Sequence, residues 1–209
     1  MFTCDTVILI FAKAPVAGQV KTRLVPLLGE CGAAEISRLL LYSLVHKLES
    51  EKLADTEIWC MPNRLHPDFQ YIQSILDCSL SNQVGDDLGE RMLYAVDKAL
   101  QHYRRVVLIG TDCPEMSTRY LKQAIRYLNE GMDAVLGPAE DGGYVLLGLT
   151  KTATCLFNGL PWGTDKILEM TRTCFLSMGW KWRELPDLWD VDRPEDLEKL
   201  MSQLTRFYF

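Results

Sequence analysis

The sequence predicts an α/β protein whose mostly parallel sheet is flanked by helices. Three observations carry that reading. Val7–Ala12 and Val106–Ile109 are apolar runs without polar alternation, as expected of strands covered on both faces. Strand-like and helix-like segments alternate along the chain with short connections, the pattern of layered α/β folds. The Val106–Ile109 run also ends abruptly in Gly110-Thr111-Asp112-Cys113-Pro114, which puts a carboxylate where open parallel sheets bind ligands.

Taken in order, Val7–Ala12 is the first buried strand, followed by a Pro/Gly loop. Ala33–Leu53 has the helical spacing Leu40, Leu44, Leu48. Glu57–Met61 is a second strand, Pro67–Leu76 a short helix, and Ser79–Gln83 a weaker strand. A helix over Asp87–Tyr103 carries Met92, Val96 and Leu100 on one face. The Val106–Ile109 strand precedes a helix at Thr118–Asn129. Ala134–Leu136 and Tyr144–Leu149 are strands around a Gly-Gly turn, which brings mixed direction into the sheet. A helix at Asp165–Met178, a strand at Trp182–Leu185 and a helix at Pro194–Leu204, announced by Asp192 and Pro194, complete the chain.

A chain of 209 residues fits one domain over 1–209 with a substantial core. With 48% hydrophobic and 24% charged residues, the composition is that of a soluble folded protein. The net charge of −6 argues against nucleic-acid binding and toward small-molecule partners. Val7–Ala12 is too short for a membrane span or signal core, and no basic segment precedes it, so it reads as a buried strand; the scattered cysteines point to a cytoplasmic location. The seven cysteines, Cys4, Cys31, Cys60, Cys78, Cys113, Cys155 and Cys174, are scattered without a C-x-x-C pair; reduced thiols are expected, with Cys113 packing rather than reacting. The three histidines, His46, His66 and His102, fall in helices or polar loops and suit surface or packing roles.

Four segments bear chemistry. Asp112 offers a hard oxygen ligand for Mg2+ or Mn2+, although capping a helix or closing the turn before Pro114 is the commoner role of an Asp in such a loop, and the metal reading depends on the other segments converging on it. The loop Lys13–Arg23 gathers Lys13, Lys21 and Arg23 in a stretch without acidic residues, which suits a phosphate or, alternatively, a solvated basic loop. Neither a Walker P-loop nor a G-x-G-x-x-G occurs. Glu140-Asp141-Gly142-Gly143-Tyr144 places carboxylates and glycines between strands, as a ligand site or a plain hairpin turn would. Asp190-Val191-Asp192 precedes a helix; in extended backbone only one of the two carboxylates reaches a metal while the other caps.

Together these segments carry a resemblance. Phe11-Ala12-Lys13-Ala14-Pro15-Val16-Ala17-Gly18-Gln19-Val20-Lys21-Thr22-Arg23-Leu24, Leu88-Gly89-Glu90-Arg91-Met92, Gly110–Pro114, Gly137–Tyr144, Pro161-Trp162 and Asp190–Asp196 follow one another as in a bacterial family of GT-A superfamily transferases. The resemblance implies a Rossmann-like nucleotide-diphospho-sugar transferase fold and the activity label glycosyltransferase. More distantly, the chain is similar to guanylyltransferases acting on molybdenum cofactor or 2-phospholactate.

By that resemblance, Asp112 with Asp190 and Asp192 is the metal side, taking Mg2+ or Mn2+. Lys13, Lys21 and Arg23 hold phosphates. Gly85–Glu90, with Asp87 and Gly89, meets the nucleoside. Asp141–Tyr144, with Gly142 and Gly143, and Trp162–Thr164 face sugar or acceptor. The chain departs from the family pattern at Ala17, where a second Pro is usual, and at Gly163, where Ser is commoner.

Two reactions fit such a site. In glycosyl transfer from a nucleotide sugar to a small acceptor, Asp141 is the available general base. In nucleotidyl transfer, a substrate phosphate attacks a nucleoside triphosphate and no base is needed. A catalytically silent nucleotide-binding or regulatory module is the third possibility. The sequence names neither base, sugar, acceptor nor oligomeric state.

Overall fold

The computed structural model describes residues 5–208, with side chains through residue 202. Seven strands form one sheet: β1 (Thr6–Lys13), β2 (Asp55–Met61), β3 (Ser79–Asn82), β4 (Arg105–Ile109), β5 (Ala134–Pro138), β6 (Tyr144–Leu149) and β7 (Trp182–Glu184). Six α-helices connect or flank them: α1 (Val25–Glu51), α2 (Pro67–Ile75), α3 (Leu88–Leu100), α4 (Thr118–Asn129), α5 (Ile167–Ser177) and α6 (Pro194–Tyr208).

The strand order is β3-β2-β1-β4-β6-β5-β7. Among the described residues, only β6 runs antiparallel to its neighbours, β4 and β5. This is the expected α/β architecture, with the mixed direction confined to the hairpin around Gly142 and Gly143.

The absence of polar alternation in β1 has a direct physical reason. Ile8 and Ile10 pack on one side of the sheet with α1, α2 and α4, whereas Val7 and Leu9 pack on the other with α3 and α5. Both faces are dry, and each fully buried aliphatic side chain contributes roughly 1.5–3 kcal/mol. A third cluster sets Leu24 and Leu40 against Trp189, Val191 and Leu197, so that the residues after the basic loop pack on the segment leading into α6. That packing brings together two regions at opposite ends of the chain.

Local signals set the helix starts. Asp87 caps α3 by accepting from Glu90 N–H at 2.9 Å, and Glu90 returns a carboxylate to Asp86 N–H. Ser117 caps α4 through Tyr120 N–H, while His66 Nδ1 accepts from Asp68 N–H ahead of Pro67 in α2. The first helix is the main difference from expectation. It starts at Val25 rather than Ala33 and is interrupted at Gly29, so Pro26 and Gly29, which read as loop residues, lie within the first turns.

Cys113 is buried, and burial pushes its thiol up to about 12, leaving it protonated and inert as a packing residue. Cys4 lies outside the described residues. Among the described residues, no helix is long and apolar enough to cross a membrane.

Candidate active site

A cavity of about 610 Å³ opens beyond the carboxyl ends of β1 and β4, in the size range of small-molecule sites. Its walls come from segments far apart in sequence. Lys13, Lys21 and Arg23 enter from the loop after β1, Asp112 from the loop after β4, Asp141, Gly143 and Tyr144 from the β5–β6 turn, Trp162 from the segment before α5, and Asp190 and Asp192 from the approach to α6. Most of the sequence-predicted site residues therefore converge.

The basic and acidic segments are paired with each other. Lys21 Nζ lies 2.8 Å from Asp112 Oδ2 and donates to the Val191 carbonyl at 2.5 Å. Its side chain is only 4% exposed, against 49% for Asp112. Val191 N–H in turn donates to the Asp112 carbonyl at 2.9 Å, which ties the β4 loop to the segment before α6. Arg23 pairs with Asp192 at the cavity edge. Lys13 is exposed at the end of β1.

Asp190 is the strained member of the acidic group. Burial, then the nearby charges of Asp141 and Asp112, push its carboxyl up to about 6, against a partial offset from Lys21. Asp141 is exposed, and its Oδ1 accepts from Gly143 N–H at 2.8 Å. Gly142, at φ 88°, makes the turn, and a side chain there would run into the backbone of Asp165. Its carbonyl accepts from Leu168 N–H, so this glycine holds α5 in place rather than lining the cavity.

Besides Gly142, three expectations need correction. Asp87 is spent on capping α3 and does not line the cavity; within Gly85–Glu90 only Leu88 does so. Gly89 is buried, and an added Cβ would sit 2.0 Å from the Phe157 carbonyl oxygen and 2.6 Å from Trp162 Nε1, which makes it a packing glycine beneath the Trp162 wall. Of the Asp190–Asp192 pair, neither carboxylate has a capping bond before α6 among the bonds of the described residues. Asp192 is committed to Arg23, and Asp196 instead accepts from the N–H groups of Asp192 and Arg193 at 2.9 and 2.7 Å.

Other lining residues escaped the sequence reading. Gln83 donates to the Trp59 carbonyl at 2.8 Å and so bolts the ends of β2 and β3 together beside the cavity. Ser37, buried on α1, also reaches it. Both are single polar residues in ordinary helical or strand-end settings, and no motif marks them. Tyr144 stands edge-on to Trp162, with ring centroids 6.3 Å apart, and its hydroxyl is buried without a hydrogen-bond partner among the described residues.

The donor set suits a hard divalent cation. Among the described residues, no three His, Cys, Asp or Glu side chains stand close enough to hold a metal ion by themselves. Mg2+ and Mn2+ do not require such a cage, because one or two carboxylates plus substrate phosphates suffice. Burial first, and then the charges of Asp141 and Asp112, disfavour a bare Asp190 carboxylate, and the Lys21 ammonium already sits as a cation on Asp112 Oδ2.

Comparisons with known proteins agree with this architecture. No curated protein matches the chain. Among solved structures, the chain is 33% identical to a protein of Desulfovibrio desulfuricans G20 assigned as a nucleotide-diphospho-sugar transferase, with a TM-score of 0.82 over 90% of this chain and 83% of that one. A cytidylyltransferase from Leptospira borgpetersenii shares the fold at 17% identity and a TM-score of 0.62, covering 98% of this chain and 87% of the other. Glucosyl-3-phosphoglycerate synthase from Mycobacterium tuberculosis, solved with Mn2+, UDP and glucosyl-3-phosphoglycerate, does so at 11% identity and 0.58, over 96% and 77%. The sheet order and its helices are those of the nucleotide-diphospho-sugar transferase, GT-A-like fold. A family profile matches residues 44–164, more than half of the chain, and the protein accordingly belongs to the bacterial family described as "Uncharacterized protein conserved in bacteria (DUF2064)".

Proposed function

We propose that the protein is a metal-dependent transferase of the glycosyltransferase type, taking a nucleotide-diphospho-sugar and a small-molecule acceptor within one domain over residues 1–209, in a cytoplasmic setting. One observation carries the reading: a single cavity gathers Lys13, Lys21 and Arg23 with Asp112, Asp141 and Asp190 at the carboxyl ends of parallel strands. The 33% identical Desulfovibrio protein, itself assigned to nucleotide-diphospho-sugar transferases, supports it.

Asp112 and Asp190 would hold Mg2+ or Mn2+, with Asp192 released from Arg23 as a further oxygen donor. The cation supplies charge neutralisation for the departing diphosphate. Lys13 and Arg23 line the cavity and would meet the phosphate oxygens, Arg23 with a two-point fork. Asp141, exposed at the turn, takes the proton of the acceptor hydroxyl as it attacks the sugar carbon. Trp162 and Tyr144 form the apolar wall that orients that acceptor and excludes water from it.

Nucleotidyl transfer is the second reading, and one observation favours it. Asp141 Oδ1 is engaged by Gly143 N–H, and a reaction whose nucleophile is already a phosphate needs no base. The two separate by product. Acceptor-dependent release of nucleoside diphosphate from a sugar nucleotide selects glycosyl transfer, and release of pyrophosphate from a triphosphate selects the other. Nucleotide binding with neither product would mark a silent binding module and overturn both.

A further inference from the structure

The basic loop and the acidic segments neutralise one another within the chain. Lys21 occupies Asp112, the carboxylate that a cation would need, and Arg23 occupies Asp192. Conversely, Asp112 and Asp192 occupy two of the three cations that this cavity offers a polyphosphate. We propose that the pairs Lys21–Asp112 and Arg23–Asp192 form a charge latch that couples divalent cation to polyphosphate, each ligand releasing the groups the other requires. The inference rests on reading this cavity as a metal and nucleotide site, and adds how that site is regulated.

The geometry of Lys21 gives the latch its strength. Its ammonium is almost wholly buried and sits 2.8 Å from Asp112 Oδ2 and 2.5 Å from the Val191 carbonyl. A second cation cannot approach the same oxygen without strong repulsion, because a half-buried setting screens like charges poorly. Lys21 also has φ 48° and ψ 41°, a left-handed backbone that residues other than glycine keep only where their surroundings hold them. Here the holding comes from Leu24 packed on Val191, from the Val191 N–H bond to the Asp112 carbonyl, and from the Arg23–Asp192 pair.

Opening follows charge balance. A diphosphate or triphosphate offers Lys21 and Arg23 several anionic oxygens in exchange for one carboxylate each, and leaves Asp112 and Asp192 exposed to a cation. A cation arriving first at Asp112 must displace Lys21, which then has no anion to meet. Either ligand alone therefore binds weakly, and each strengthens the other by the same factor. The latch keeps the cavity from filling with metal or phosphate that cannot react.

The test binds each ligand by itself, which removes direct chelation of metal by phosphate. Mn2+ alone is titrated into wild type, Lys21→Met and Lys13→Met, with free Mn2+ read by electron paramagnetic resonance. Lys21→Met is expected to tighten Mn2+ by about 10-fold, within the usual span of coupled sites, and Lys13→Met, which removes a charge from the same cavity without touching Asp112, by less than about 3-fold. From the acidic side, pyrophosphate alone in EDTA is titrated calorimetrically. Asp112→Asn is expected to tighten it by about 5-fold, and Asp141→Asn to do so less. This second arm reads the latch even if Lys21→Met fails to fold. Mn2+ affinity unchanged or weakened in a folded Lys21→Met, or no gain in pyrophosphate affinity for Asp112→Asn, overturns the latch alone. Wild type that binds no Mn2+ even with pyrophosphate present overturns the latch and the metal reading together.

Discussion

Replacing Asp190 by Asn isolates the electrostatic cost of assembling the acidic half of the cavity, because Asn keeps the shape of the protonated acid and removes the charge. Burial and the charges of Asp141 and Asp112 move the Asp190 carboxyl from the ordinary value of 3.8 up to about 6. A shift of roughly two units corresponds to about 3 kcal/mol for a fully buried group, and partial exposure reduces this to about 1–2 kcal/mol. The sign follows from linkage. The folded value lies above the unfolded one, so the folded state prefers the proton. The penalty is absent below about pH 3.8, grows as pH rises toward 6, and is complete above it. Asp190→Asn should thus be more stable than wild type at pH 7.5, with Tm higher by about 3–6 °C for a chain of this size, and indistinguishable from it near pH 4. Differential scanning calorimetry across that pH range, without metal, measures both points. A variant that is less stable at pH 7.5, or whose advantage persists unchanged at pH 4, would show that Asp190 carries no such electrostatic cost. The same variant should lose the Mn2+-dependent rise in Tm that wild type shows with a nucleotide, since a carboxylate kept at a cost to stability is kept for its ligand.

Three further outcomes test the frame and the chemistry. Gly89→Ala should lower stability by about 2 kcal/mol or more, because the new Cβ meets the Phe157 carbonyl at 2.0 Å and must push the Trp162 wall outward; a melting point equal to wild type contradicts the packing assignment. Tyr120→Phe removes the hydroxyl that donates to the Pro186 carbonyl at 2.9 Å and should cost about 1 kcal/mol in urea unfolding without altering nucleotide affinity. Asp141→Asn should lower acceptor-dependent turnover by about 100-fold while leaving nucleotide affinity within a few-fold of wild type, as loss of a general base does. Unchanged turnover would move the reaction toward nucleotidyl transfer.

Buried strands and amphipathic helices were legible in the sequence because their signals are local. Val7–Ala12 and Val106–Ile109 lack alternation for the reason the sheet shows, two dry faces, and the Leu40, Leu44, Leu48 spacing sits in α1 as read. The strand order was not legible. Placing antiparallel β6 between β4 and β5 depends on which long-range pairing buries more surface, and no local residue encodes it. The start of α1 was hidden because Pro26 and Gly29 are loop-formers by composition, while here Pro26 occupies an opening helical position and Gly29 an interruption.

Within the site, charge type was readable and partnership was not. Lys21 and Arg23 were visible as cations suited to phosphate, yet their present partners, Asp112 and Asp192, come from other segments entirely. The partner of Asp192 is hidden for the same reason: Arg23, from the far end of the chain, takes its carboxylate, while Asp196 turns back from the first turn of α6 to the N–H groups of Asp192 and Arg193. Gly89 read as a ligand-facing residue, because a glycine needed for close packing and one needed for close ligand approach have the same sequence signature.

In this reading the cavity holds a nucleoside polyphosphate through a divalent cation anchored on Asp112. Isothermal titration of UDP-, GDP-, ADP- and dTDP-sugars and the matching triphosphates, with and without Mn2+, measures it most directly when run on wild type and Asp112→Ala side by side. Mn2+ should raise the affinity of wild type for at least one of these ligands by about 10-fold or more, and Asp112→Ala should abolish the increase. Binding that ignores Mn2+ and is untouched by Asp112→Ala would contradict it.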